Sequence, residues 1–498
     1  MIMSASVRRL VFRIVQVGGA AFFSSCFLVG PDYVGPTASD LRVPRSWESA
    51  SPATKEGIEV ADWWRHLGDP LLTKLVAEAM KGSPDLQSAL AKLREARAQR
   101  RLAAANLGPT FSGSGSAQYL YQGAGSVAGG ASNSGFGAAS LGGSQEFYDA
   151  VFDASWEPDI FGGQRRALEG ARADEQAAVA NLHSVQVSLA AEVARNYVEV
   201  RSYQTEVQIA RANLESQTET LNLTNWRVQA GLATSLDFEQ ARTNVEQTLA
   251  SIPVLETSLA EARHRVATLL GLAPAALSNE LADKVAIPEI PYPLTVGIPV
   301  DILRRRPDVA AAERTLAAET ARIGEAKAAR YPSFTLSGSV GAESMTLAAV
   351  SSGSSMVASV AGSVAQTIFD SGRISSQIEI QNAIQGQALA TYRSTVLTAL
   401  EDVENALVAL ANYRSQADAL ARGVESARNA ALLARHEYSA GIVDFQSVLD
   451  TQRTVLAVEE SLNTAQSNSV IATIQLYKAL GGGWSAAQDH VAEKQNLP

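Results

Sequence analysis

Two periodicities divide this chain. In four short stretches, small or apolar residues alternate with polar ones at every second position, the spacing of a β-strand. Phe111, Gly113, Gly115, Ala117, Tyr119 and Tyr121 alternate with Thr110, Ser112, Ser114, Ser116 and Gln118. Tyr148, Ala150, Phe152, Ala154 and Trp156 alternate with Asp149, Val151, Asp153 and Ser155. Phe334, Leu336, Gly338, Val340 and Ala342 alternate with Ser333, Thr335, Ser337 and Ser339. Met356, Ala358, Val360, Gly362, Val364 and Ile368 are set against Ser359, Ser363 and Thr367. Such stretches, with aromatics near their ends, fit the strands of an outer-membrane β-barrel; a half-buried sheet of a soluble protein would carry a similar pattern. Four strands cannot close a membrane barrel, whose smallest members have about eight. If these strands span a membrane, several chains share one barrel, and the protein is an obligate oligomer.

The remainder reads as helix. Few breakers interrupt Gln164–Ala230 and Ile374–Ala440, 67 residues each, or about 100 Å of helix. Leu232–Gly271 and Ile442–Gly481 hold 40 residues each, about 60 Å, and Pro84–Gly108 and Pro307–Tyr331 hold 25 each, about 37 Å. One 40-residue and one 25-residue helix end to end match one of 67. Ala, Leu, Val, Glu, Arg and Gln dominate, mostly good helix formers. Pro253 is expected to kink or break its helix.

The equal lengths reflect an internal repeat. Pro84-Asp85 matches Pro307-Asp308 and Pro109-Thr110-Phe111 matches Pro332-Ser333-Phe334, both at an offset of 223. Gly231 matches Gly441 and Leu270-Gly271 matches Leu480-Gly481, at an offset of 210. The first copy carries an extra loop, supplied by the Gly/Ser-rich stretch Gly123 to Gly143. That stretch lacks the Lys-Ser/Thr of a phosphate-cradling loop and reads as a surface loop. Gly231 and Gly441 end the long helices; Thr234 or Ser235 caps the helix after the first and Asp444 the helix after the second. The boundaries that follow are a signal peptide over 1–25, a segment over 26–83, repeat one over 84–272 with its hairpin at 109–157, a Pro-rich connector over 273–306, repeat two over 307–481 with its hairpin at 332–369, and a polar tail over 482–498.

Arg8, Arg9 and Arg13 precede an apolar run from Ile14 to Phe23, then Ser24, Ser25 and the single cysteine, Cys26. A cationic region, a short apolar core and a small-residue site make a secretory signal. A cysteine at that site is a candidate for lipidation; an ordinary signal with a chance thiol is the plainer reading. One cysteine excludes an intrachain disulfide framework. The five histidines, His66, His183, His264, His436 and His490, show no metal-ligand spacing. A net charge of -10 argues against nucleic-acid binding. No 18-residue apolar run marks a transmembrane helix. No nucleophile–base or metal constellation points to an enzyme, and no cofactor is expected beyond a covalent lipid on Cys26.

Further motifs carry a resemblance. Cys26 is followed by Val29-Gly30-Pro31-Asp32-Tyr33-Val34-Gly35-Pro36, then Asp62-Trp63-Trp64, Gly68-Asp69-Pro70-Leu71 and Phe161-Gly162-Gly163. Arg305-Arg306-Pro307-Asp308, Tyr438-Ser439-Ala440-Gly441 and Val448-Leu449-Asp450-Thr451-Gln452-Arg453 complete the set. In their order and spacing they span nearly the whole mature chain, which resembles a TolC-type outer membrane factor of the lipoprotein branch, a NodT/OprM-like efflux lipoprotein. The resemblance implies a mainly α fold with membrane β: a coiled-coil-like helical barrel continuous with a trimeric, 12-stranded transmembrane β-barrel, four strands per chain. It implies an equatorial belt built from the N-terminal segment, the connector and the C-terminal region. It also implies a passive exit duct of a tripartite efflux pump for drugs or other toxic compounds, in a Gram-negative outer membrane. Its partners would be two further copies of the chain, a periplasmic adaptor, an inner-membrane RND-type transporter and outer-membrane lipid, with no nucleic acid.

The same resemblance puts a gate at the turns of Gly231 and Gly441, with Asp237, Tyr438, Asp450 and Arg453 as its candidates and Gly231, Gly441 and Asp444 as the adaptor-docking tip. Three copies of Asp450 around a narrow pore would form a carboxylate ring that attracts cations. Tyr438 is expected to donate to a carboxylate across the turn and Arg453 to form an ion pair. Plainer roles stand beside these. Asp237, three residues after Thr234, completes a capping box, and Asp450 with Arg453 is an i,i+3 surface pair. Relatives with an arginine beside the tyrosine differ from this chain, which has Ser439. Asp149 and Asp153 are expected to face a barrel lumen. Two other functions remain open: the exit duct of a type I protein secretion system, and a structural coiled-coil envelope tether.

Overall fold

The computed structural model describes residues 28–41, 43–48, 60–122, 143–288, 299–352 and 355–484. The signal segment, Cys26, nearly all of the Gly/Ser-rich stretch, 289–298 of the connector and the tail beyond 484 lie outside the described residues. The order is α1 (Pro70–Gly82), α2 (Pro84–Ala105), β1 (Thr110–Gln122), β2 (Gly143–Trp156), α3 (Gly163–Gln229), α4 (Ser235–Leu269), α5 (Pro299–Arg305), α6 (Pro307–Ala328), β3 (Ser333–Ser344), β4 (Met356–Ala365), α7 (Arg373–Ser439) and α8 (Phe445–Ala479). A short 3-10 turn, Trp63–Leu67, precedes α1. The repeat is visible in the lengths: α3 and α7 have 67 residues, α4 and α8 have 35, and α2 and α6 have 22. The expected break at Pro253 is absent. α4 continues through Pro253 without interruption. Pro253 lies on the exposed side of the helix, so the carbonyl it leaves unpaired is not buried.

The chain forms two compact units. In the described residues the first takes 28–34, Ala96–Glu175 and Thr315–Leu389, and the second takes the rest. The first unit holds the sheet, antiparallel throughout in the order β1-β2-β3-β4. Its register sets the apolar series of all four strands against one another. Phe111 faces Ala154, Gly113 faces Phe152 and Ala117 faces Tyr148. Phe152 faces Val340 and Trp156 faces Leu336. Val340 faces Ala358 and Phe334 faces Val364. The polar series pair likewise, Ser112 with Asp153 and Ser339 with Ser359. A slip of one residue would set apolar against polar along a whole strand, so the pattern excludes every odd slip. Gly113 leaves room for its partner: a Cβ there would stand 3.1 Å from the Phe152 ring.

Also in this unit, the segment 29–32 is stapled to α3 by a buried arginine. Arg166 donates from Nη2 to Asp32 at 2.7 Å and from Nε to the Val29 carbonyl at 3.1 Å, and it pairs with Glu169 at 2.7 Å. Gly30 (φ 103°) lies so close to Gly324 of α6 that a Cβ on it would stand 2.3 Å from the Gly324 Cα. Burial disfavours the Arg166 charge, but its two carboxylate partners more than offset that and raise its pKa.

The second unit has the larger core. Trp63, Leu72, Leu75, Val76, Tyr197, Val266, Leu281 and Ile474 form one cluster with no more than 1% exposure. Trp63 stacks on Tyr477 at 5.2 Å. The described part of the connector packs here, as expected. Leu277 and Leu281 are buried, Gln204 Nε2 donates to the Leu281 carbonyl at 2.7 Å, and Arg201 Nη1 donates to the Asp283 carbonyl at 2.5 Å. The Arg306-Pro307-Asp308 motif works similarly. Arg306 donates to Asp308 at 2.7 Å, to Asp402 of α7 at 3.0 Å and to the Ala479 carbonyl of α8 at 3.1 Å. Removing the Trp63 ring leaves a large cavity in a full core. Trp63→Ala should cost about 3–5 kcal/mol, read as a lowered thermal unfolding temperature of detergent-purified protein beside wild type.

Candidate functional site

Each long helix of the second unit ends in the same way. At the end of α3, Gly231 adopts φ 73°, its N–H reaches the Val228 carbonyl at 3.0 Å and the Leu232 N–H reaches the Arg227 carbonyl at 2.7 Å. At the end of α7, Gly441 adopts φ 78°, with Gly441 N–H to Tyr438 at 3.0 Å and Ile442 N–H to Glu437 at 2.9 Å. This crossed pair of bonds is the Schellman closure, whose left-handed residue favours glycine. Both following helices are then capped. Thr234 and Asp237 form a reciprocal capping box, at 3.2 Å and 2.9 Å. Asp444 accepts from the Ser447 hydroxyl at 2.6 Å and the Ser447 N–H at 3.0 Å. These bonds hold the Asp444 carboxyl below its ordinary pKa, the hydroxyl contributing more than the N–H.

The gate candidates separate into different environments. Tyr438 is buried, with Ala241, Ala434, Phe445, Val448 and Leu449 around it. It meets Phe445 edge-on at 5.7 Å. Its hydroxyl is buried without a hydrogen-bond partner, so the expected bond to a carboxylate does not form. The physical reason is the apolar cluster, which draws the ring in. Asp450 is exposed and accepts from Gln446 Nε2 at 2.8 Å. Arg453 reaches from α8 to α4, where its Nε donates to Asn244 Oδ1 at 3.2 Å. Among the described residues no ion pair joins it to Asp450. Asp237 is occupied in its capping box.

Further along the same helices a polar stripe ties α3 to α8. Gln452 Nε2 donates to Thr220 Oγ1 at 2.8 Å and Asn213 Nδ2 to Glu459 Oε2 at 2.9 Å. Asn463 Nδ2 donates to Ser202 Oγ at 2.9 Å and to Glu206 Oε1 at 3.0 Å. Arg428 of α7 closes on Glu459 at 2.7 Å. Sequence reading missed this stripe, yet it left a trace: Glu206, Asn213, Thr220 and Arg227 recur every seven residues on α3. Polar residues at such a seam specify register between packed helices. Arg227 was missed as well. Its guanidinium lies over the Tyr438 ring, 4.5 Å from the centroid. The signal was an asymmetry between repeats, since the position equivalent to Arg227 is Glu437.

No cluster of three or more His, Cys, Asp or Glu able to hold a metal occurs among the described residues, and none of their helices is long and apolar enough to cross a membrane. The chain and its fold have counterparts among known proteins. The family model described as outer membrane efflux protein matches residues 75–272 and 298–482. The chain belongs to the outer membrane efflux protein family. It is 32% identical over 454 residues to the pyoverdine export outer membrane protein OpmQ of Pseudomonas putida, covering 91% of this chain and 94% of that one. It is 30% identical over 475 residues to nodulation protein T of Rhizobium leguminosarum bv. viciae, covering 95% and 94%. Its fold superimposes on the outer-membrane channel OprN with a TM-score of 0.84 and 34% identity, over 92% of this chain and 99% of that one. This efflux-family chain therefore has the fold of an outer-membrane channel, mostly helical with four antiparallel strands. None of these relatives is named for a catalytic activity.

Within the polar stripe, burial raises the Glu206 pKa, and the nearby Glu460 carboxylate adds to it, against the bonds from Asn463 and Ser202. A raised carboxyl favours the folded state below its unfolded pKa and loses that contribution as pH rises through the folded value. Glu206→Gln should therefore raise the unfolding temperature at pH 7, and the gain should shrink as pH falls below the ordinary carboxylate range. Thermal scans from about pH 3 to about pH 8, spanning the range in which carboxylates titrate, check both signs.

Proposed function

We propose that this chain is the exit duct of a tripartite efflux pump, passing small molecules passively through the periplasm and outer membrane, with a gate at the turns of Gly231 and Gly441. One observation carries the reading: the sheet has a continuous apolar face that is open to solvent. Phe111 is 79% exposed, Phe152 73% and Val360 83%. Such a face suits lipid, and the outer edges of β1 and β4 suit strands from neighbouring copies. Three copies give a barrel of twelve strands, with Asp149 and Asp153 on the face away from lipid.

The internal repeat supports sharing between copies. Phe161, at the end of hairpin one, stacks on Tyr331 at 4.7 Å. Its counterpart Phe369 is 86% exposed and the adjacent Ile368 is 97% exposed. In a trimer a second copy covers them. At the turns, the exposed Leu232, Leu236 and Ile442 offer an apolar surface to a helical adaptor. An RND-type transporter would supply the energy and a lipid on Cys26 the anchor. The export of pyoverdine named for one relative favours a small-molecule cargo over a secreted protein.

Planar-bilayer recording of purified protein tests the proposal. Wild type should insert, conduct poorly and prefer cations. Asp450→Ala should raise conductance and weaken the cation preference, because three exposed carboxylates leave the constriction. Asp237→Ala should act mainly through its helix cap, costing about 1 kcal/mol of stability. Folded protein that forms no channel would favour the envelope tether.

A further inference from the structure

We infer that the long helices meet along two chemically different seams. Hydrogen bonds close the seam of α3 on α8 within a chain. Shape closes the seam of α7 on α4 of the next copy, where Leu249 seats over Gly423; this deepens the duct reading above and rests on it. One offset of 210 residues relates α3 to α7 and α4 to α8 from end to end. In a closed ring of such repeats, each contact of repeat one with repeat two inside a chain has a counterpart between copies. The counterpart of α3 on α8 is α7 on α4 of the next copy.

Burial separates the two seams at equivalent positions. Within the chain, Asn213, Thr220, Gln452, Glu459 and Asn463 are all buried. On α7 the positions equivalent to Asn213 and Thr220 are Gly423 and Ala430. On α4 those equivalent to Gln452, Glu459 and Asn463 are Arg242, Leu249 and Pro253. Gly423 is half-buried, Ala430, Arg242 and Pro253 are exposed, and Leu249 is 49% exposed. The same helix faces are covered in one pairing and open in the other, and a second copy in the ring covers the open ones.

The residues on the open faces fit each other. The bonded pair Asn213 and Glu459 becomes Gly423 and Leu249, a hole and a knob. Glycine within a long helix is destabilising, and here it leaves room. A Cβ on Gly423 would meet one atom within 4 Å, Val458 Cγ1 at 3.4 Å, so the side away from α8 is free to receive a leucine. Burying that leucine supplies by the hydrophobic effect what hydrogen bonds supply inside the chain. The next pairing reverses polarity. Within the chain Asn463 of α8 donates to Ser202 and Glu206 of α3. Between copies Asn463 is replaced by Pro253, and Ser202 and Glu206 by Asn412 and Gln416. Pro253 has no N–H and leaves the Leu249 carbonyl without its helical donor. Asn412 and Gln416 bring amide donors to that level of the seam, so α7 donates to α4 of the next copy.

Cross-linking of the purified full chain in detergent reads the seam directly. Leu249→Cys/Gly423→Cys, treated with a short bismaleimide, should lose its monomer band on a denaturing gel and run as dimers and trimers. Asn213→Cys/Glu459→Cys, the equivalent pair within the chain, should lose its free thiols and still run as a monomer. Each single-cysteine variant, treated alike, should remain monomeric, which accounts for Cys26 and for chance collisions. If Leu249→Cys/Gly423→Cys does not fold, Arg242→Cys/Ala430→Cys, at two exposed positions of the same seam, decides in its place. Monomer bands from a variant that is trimeric by light scattering overturn the seam and leave the duct standing. A wild type that is monomeric by light scattering and forms no channel overturns the duct reading, and the seam with it.

Discussion

The need to satisfy helix termini without losing packing governs this chain. Four helices, α3, α4, α7 and α8, are each followed by a glycine in the left-handed conformation: Gly231, Gly271, Gly441 and Gly481, with φ between 73° and 78°. Each closes its helix with the same crossed backbone bonds. At Gly231 and Gly441 a Cβ would meet nothing within 4 Å, so conformation alone requires glycine there. At Gly271 and Gly481 packing requires it too. A Cβ on Gly271 would stand 2.5 Å from the Gly82 carbonyl oxygen, and one on Gly481 3.1 Å from that of Arg305. The two kinds of turn therefore answer to different constraints: one pair is free in space, the other is pressed against the connecting segments.

The interior that these turns organise is unusually polar along one seam. Burying Asn213, Gln217, Thr220, Thr224, Gln452, Glu459 and Asn463 costs free energy unless each is bonded. Most are bonded, to partners on the opposing helix. Alanine-rich helices pack closely but can slide, because small side chains interlock weakly. Hydrogen bonds at fixed intervals stop the sliding, and Arg428 with Glu459 adds a charge pair at the same level. Of the nine buried side-chain atoms without a partner among the described residues, four lie toward the turns: Gln217 Oε1 and Arg227 Nε on α3, Asn244 Nδ2 on α4 and Tyr438 Oη on α7.

Much of the candidate site was legible in the residues. Gly231, Gly441, Thr234 and Asp444 announced the turns and caps, because those roles depend on neighbours a few residues away. Tyr438 and Arg453 were legible as residues of interest but not in what they touch. Tyr438 turned inward because α8 presents Phe445, Val448 and Leu449 to it; Arg453 passed over its near neighbour Asp450 for Asn244 on α4. Arg227 escaped notice because its partners lie 211 and 212 residues away. Pro253 did not break its helix, because the side it affects is exposed.

Alternation of residue type, helix length and turn chemistry are properties of consecutive residues. The sequence by itself therefore determined the four strands, the equal pairs of helices and the repeat that relates them. Sheet register was implied only in part, since alternation excludes slips by an odd number of residues and allows even ones. Tertiary structure alone decided which side chains join distant parts of the chain: Arg166 to Asp32, Arg306 to Asp402, Asn463 to Glu206, and Arg227 to the end of α7. Contacts of that kind depend on where two distant helices are brought side by side, and no periodicity along the chain encodes the distance between them.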